Sequence, residues 1–117
     1  MQLDRSTNLS FIVKTSGEIL PLMPDDEEFS LQQIRDYVAG PPEVLCETRD
    51  GYLLFHNREA AANGQPVNPL ASSVLSEHTS HRDDVAGRAF LAHPDHIPPY
   101  WARTRRVVYC WAASFVM

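Results

Sequence analysis

Hydrophobic and polar positions along this 117-residue chain alternate at short period, switch to helical period, and then run through that order again. LSFIVKTSGEILPLMP reads as two strands, about Leu9 to Thr15 and Glu18 to Leu22, joined at Ser16-Gly17, where glycine supplies the backbone freedom of a tight hairpin turn. Pro21 has no N–H to give to a ladder, so the second strand belongs at a sheet edge or stops there. In SLQQIRDYVAG, Ser30 and Gln33 have capping-box spacing, Leu31, Ile34 and Val38 recur at helical spacing beside Tyr37, and Gly40-Pro41-Pro42 ends the pattern.

A second unit follows. Glu43 to Thr48 and Tyr52 to Asn57 form a hairpin around Arg49-Asp50-Gly51. Asn68 is a good N-cap and Pro69 suits the first helical position, after which Leu70, Ala71, Val74 and Leu75 supply an apolar face. Asp83 to Ala92 reads as a last strand, with Val85, Ala89 and Leu91 on one face and Ala86, Phe90 and Ala92 on the other; Gly87 marks a bulge or a close contact. The order ββαββαβ predicts an α+β fold, a small antiparallel sheet with two helices on one face. Residues 1–92 form that core domain. Residues 93–117 form a C-terminal extension, packed on the core or at an interface, whose stripe through Val107, Val108, Trp111, Ala112 and Phe115 favours a helix over a strand.

Bulk composition narrows the class. A chain of this length buries roughly two-thirds of the surface its unfolded form exposes, enough for a core without covalent staples. Its 44% hydrophobic and 21% charged residues lie far from the regime of disorder. The longest apolar run, VVYCWAASFVM, has 11 residues, whereas a spanning helix needs about 20, so no membrane segment is expected. MQLDRSTNLS lacks the basic and long apolar parts of a secretory signal, and Cys46 and Cys110 lack metal-ligand spacing; a reduced, cytoplasmic protein is the expectation. The net charge of −5 is uneven, with 12 acidic and 5 basic residues up to position 80, then 3 acidic and 5 basic. Overall acidity disfavours nonspecific nucleic-acid binding, which draws on many Lys and Arg. The run Asp25-Asp26-Glu27-Glu28 is a solvated flank compatible with the following helix dipole.

The stretch from Gly51 carries a resemblance. Gly51 and Tyr52, Asn57 and Glu59, Pro66 and Asn68, Ala71, and Asp84 to Gly87 are similar to the motifs of a small bacterial and phage domain-of-unknown-function family met on mobile elements. That resemblance spans roughly residues 9 to 92 and implies the same α+β fold and a phage or mobile-element setting. It lends no catalytic residues. The sequence departs from the pattern at Gly64-Gln65-Pro66, where an apolar residue would precede the proline, and in the extension from His93.

Candidate chemistry is sparse. His78-x2-His81 and His93-x2-His96, flanked by acids, have a metal-like look, but an eight-residue strand of about 26 Å would separate the pairs, so no metal and no cofactor is expected. Neither a GxSxG elbow nor a GxGxxG or GxxxxGK[ST] loop is present. These gaps favour a non-enzymatic protein. If helices cover the Leu53 and Phe55 face, Tyr52 and His56 look outward together near Asn57 and Glu59, a set suited to a small polar ligand or to proton transfer. The competing explanation makes Asn57 a holder of the following loop through its side chain. Trp101, Arg103, Arg105 and Arg106 mix cations with neighbouring aromatics, a combination found at protein interfaces and, less fittingly with only three Arg, at nucleic acids. The leading expectation is therefore a protein-binding accessory module or a self-associating one, possible as a dimer, acting through the open sheet face or the aromatic tail. The alternatives are small-ligand or nucleotide binding at Tyr52 and His56, with or without catalysis, and nucleic-acid binding through Arg103 to Arg106.

Overall fold

A computed structural model describes residues 8–80 and 84–98. Five strands, β1 (Ser10–Val13), β2 (Ile19–Leu22), β3 (Pro42–Glu47), β4 (Leu53–Asn57) and β5 (Ala89–Ala92), make one antiparallel sheet in the order β2-β1-β5-β4-β3. Two helices, α1 (Leu31–Val38) and α2 (Pro69–His78), complete an α+β fold. No helix among the described residues is long and apolar enough to cross a membrane.

The predicted turns and caps form as their chemistry dictates. Gly17 and Gly51 take positive φ in the two hairpins. Ser30 accepts from the Gln33 amide at 3.1 Å while the Gln33 side chain accepts from the Ser30 amide at 2.8 Å, closing the capping box of α1. Asn68 caps α2 through the Ala71 amide, with Pro69 at the first helical position.

The helices do not share a face, contrary to the expectation from sequence. Ile34 and Val38 of α1 pack with Phe29, Leu53, Phe55, Phe90 and Ile97, whereas Ala71, Val74 and Leu75 of α2 pack with Val13, Tyr52, Leu54, Val85 and Leu91. Successive strand residues point to opposite sides, so Leu53-Leu54-Phe55 and Ala89-Phe90-Leu91-Ala92 present apolar groups on both. A sheet with two apolar faces needs cover on both, at about 1.5–3 kcal/mol for each large side chain taken from water. β3 adapts with a bulge: the register passes from Val44↔Phe55 to Cys46↔Leu54, turning Val44 toward α1 and Cys46 toward α2.

The last strand is shorter than Asp83 to Ala92. Among the described residues ahead of Ala89, the strand pairing is reduced to an isolated bridge between Ala86 and Val67. After Ala92 the chain stays on the core: a 3-10 turn at Pro94–His96 follows, the Phe29 amide donates to the His96 carbonyl at 2.8 Å, and Ile97 is buried. The helix expected beyond it, with Trp101, Arg103, Arg105, Arg106 and Cys110, lies outside the described residues, as does His81.

Candidate functional site

The sheet face expected to be open is covered. Tyr52 is fully buried beneath α2, and its hydroxyl donates to the Leu9 carbonyl at 3.0 Å. His56 is mostly buried on the same side, where its Nε2 donates to Glu43 Oε1 at 2.8 Å across the β3–β4 pair. Its Nδ1 is buried without a hydrogen-bond partner. A carboxylate holding one imidazole nitrogen is a general-base arrangement, but here the free nitrogen is sealed from solvent, so the pair ties two strands together.

Asn57, by contrast, reaches a cavity. It is the last residue of β4, and its Oδ1 accepts from the Glu59 amide at 2.8 Å while its Nδ2 donates to the Ala39 carbonyl at 3.0 Å. The first bond is the side-chain turn that the residue type predicts; the second fixes the end of α1 against β4. Gly40 makes room for it, because a Cβ there would come within 2.5 Å of Asn57 Nδ2. Glu59 is exposed and points no acid into the cavity lining.

The segment after Asn57 folds into a compact wall. Asn63 donates its amide to Glu59 and Gln65 to Ala60, each at 3.0 Å, while the Arg58 amide bonds Pro41 at 2.9 Å. Across from this wall the Gly87 amide reaches the Pro66 carbonyl at 2.8 Å. Gly87 has φ +77° and lies so near Ala60 that an added Cβ would stand 3.0 Å from its methyl. Glycine is therefore required twice over, and the close contact expected there from sequence is a contact with the wall.

Between these parts lies a cavity of about 390 Å³. Its buried lining comes from Val38, Ala60 and Gly87, while Asn57, Asn63 and Gln65 supply amide groups. The β1–β2 turn adds Lys14, Thr15 and Ser16, and Arg88 stands where the chain enters β5. Polar side chains from three separated segments thus meet at one end of the sheet. The volume falls in the range of small-molecule sites, about 300–1,000 Å³. Compared with known proteins, the chain matches no family model, no curated protein and no solved structure. The cavity therefore stands on its own geometry.

Of the described candidate site residues, Asn57 lines this space, whereas Tyr52 lies under α2, His56 is tied to Glu43 and Glu59 stays outside the lining. Lys14, Thr15, Asn63, Gln65 and Arg88 carry no local motif, and only the pairing of β1 with β5 and of β5 with β4 brings them together.

A second polar cluster occupies the opposite end of β5. Ser10 Oγ lies 2.9 Å from His96 Nδ1 and accepts from the His93 amide at 2.8 Å, and His93 Nδ1 accepts from the Asp95 amide at 3.0 Å. Burial, and then the neighbouring His93, lower the His96 pKa from 6.5, with Asp95 opposing. Serine beside histidine suggests nucleophilic chemistry, yet Ser10 is fully buried and already bonded on two sides. The cluster fastens the start of β1 to the end of β5. His78 is likewise occupied, its Nδ1 donating to the Val74 carbonyl at 2.9 Å. Cys46 is buried, and burial pushes its thiol pKa up to about 11.

Proposed function

We propose that this domain is a non-enzymatic module that binds a small polar ligand in the cavity bounded by Asn57, Asn63, Gln65 and Arg88. The observation that carries the proposal is the convergence of amide, hydroxyl and cationic side chains from three chain segments on one space whose walls are fixed by backbone hydrogen bonds. Such a set orients and holds a ligand with little ordering cost, because the walls are built before it arrives. The charged side chains of the described lining are Lys14 and Arg88, hydrogen-bond donors suited to holding a ligand. An accessory role in a phage or mobile element belongs to the same proposal and is supported by the motifs around Gly51, Asn57, Asn68 and Gly87. A protein-partner role now draws on the aromatic and basic tail alone, since α2 lies over the sheet face that it also invoked.

A thermal-shift panel of nucleotides, sugars, sugar phosphates and amino acids tests the proposal. A ligand at a hundredfold excess over its Kd adds about 2.7 kcal/mol of stability. The expected result is a rise in Tm that Asn63→Ala and Gln65→Ala diminish. Stabilisation that both variants retain in full would place the ligand elsewhere.

A further inference from the structure

Charge in the cavity narrows the ligand class. The two cations, Lys14 and Arg88, come from the ends of adjacent paired strands, with Val13↔Ala89 the neighbouring register pair. Lys14 meets Glu18 at 3.0 Å, but both side chains are well exposed, at 39% and 55%, and such a pair is held weakly enough to yield to a better acceptor. Arg88 makes no ion pair among the described residues. No carboxylate belongs to the described lining, in a chain that carries 15 acidic residues overall. Two features oppose an anion: the Glu18 carboxylate beside Lys14, and the C-terminal end of α1, where helix carbonyls concentrate partial negative charge. Part of that charge is already taken up: the Ala39 and Gly40 amides bond back to Asp36 and Arg35, and Asn57 Nδ2 takes the Ala39 carbonyl.

Resting on the ligand-binding proposal above, we infer that the ligand is a small phosphate monoester, its phosphoryl group seated between Lys14 and Arg88 and its polar body against Asn57, Asn63 and Gln65. Two positive charges match the −1.5 to −2 that such a phosphate carries near pH 7. Arg88 offers a planar fork of donors, Lys14 a compact point charge, and the Thr15 and Ser16 hydroxyls add further donors on the same turn. At about 30 Å³ per water, the cavity holds roughly a dozen waters' volume, more than an inorganic ion fills. The surplus, lined by amides, accommodates a sugar-sized hydroxylated body.

The full chain is titrated with ribose 5-phosphate, with ribose and with inorganic phosphate, following backbone amide resonances and Tm. Ribose 5-phosphate is expected to move the Asn63, Gln65 and Gly87 amides. Arg88→Gln, at an exposed position, and Lys14→Gln, at a partly exposed one, are each expected to weaken it about tenfold or more, the scale of a lost charged hydrogen bond. Affinity falls as salt rises. Equal binding of ribose, unaffected by either variant, overturns the phosphate assignment and leaves the cavity proposal standing. Phosphate binding that perturbs only residues 99–117 and survives both variants also overturns it. No movement of the cavity amides with any of the three probes overturns the phosphate assignment, and a further null across the rest of the thermal-shift panel removes the cavity proposal as well.

Discussion

Asn57 Nδ2 donates to the Ala39 carbonyl across 3.0 Å, and this bond fixes both the end of α1 and one side of the cavity. The contact depends on Gly40, whose missing side chain leaves the Asn57 amide its place. Ala39, not Gly40, holds the left-handed conformation at the helix end, with φ 63°. Ala39→Gly is therefore expected to stabilise the domain by about 1 kcal/mol, whereas Gly40→Ala destabilises it by displacing Asn57. Urea unfolding of both variants checks the signs. Two destabilised variants would contradict this account of the helix end.

Asn68 ties three elements at once. Its Nδ2 donates to the Val13 and Gly87 carbonyls, each at 2.9 Å, its Oδ1 accepts from the Ala71 amide, and its own amide bonds Val85 at 2.7 Å. Asn68→Ala removes a helix cap and strands two buried carbonyls, a loss of about 2–4 kcal/mol. Asn68→Asp keeps the cap oxygen but not the donor, so it should lose nearly as much. A loss of unfolding free energy in urea of less than about 1 kcal/mol for either variant would sink the hub interpretation.

Acid sensitivity follows from His96. Its pKa is below the ordinary 6.5, so as pH drops below 6.5 the unfolded chain takes up a proton that the native state refuses. Stability is full above that value and declines beneath it, until the native histidine also protonates. His96→Asn should flatten this limb of the stability curve. An unchanged slope between wild type and variant would assign the acid response to other groups.

Cys46 predicts the opposite limb. Its thiol is held neutral to about pH 11 against 9.0 for an unburied one, so its contribution is complete below pH 9 and is lost as pH climbs through 11. In a Cys110→Ser background, native protein should react with a thiol reagent only as fast as it opens, orders of magnitude below the rate in denaturant. Rapid native labelling at pH 8 would contradict the burial.

Local features were legible because their causes are local. The Ser30–Gln33 box, the Asn68-Pro69 start and the two glycine turns follow from side chains bonding within a few residues. The covered sheet face was harder to read because Tyr52 and His56 alternate with Leu53 and Phe55 like an exposed set. Leu54 and Leu91 carried the contrary signal: with apolar neighbours on either side, they give continuous apolar runs, the mark of strands buried on both faces. Gly40 reads as a helix stop and serves instead as clearance for a residue 17 positions away. Lys14, Asn63 and Arg88 share no spacing rule, since strand pairing alone sets them around one space.

The most direct measurement of the central claim plugs the cavity. Asn63 is exposed at its edge with unexceptional φ, so Asn63→Trp can fill the space and leave the fold standing. Isothermal titration of wild type and variant, with whichever panel ligand raises Tm most, reads the outcome. The account predicts an unchanged Tm for the free variant and a loss of affinity of at least about a hundredfold, near 2.7 kcal/mol. Equal affinity in the two proteins would contradict it.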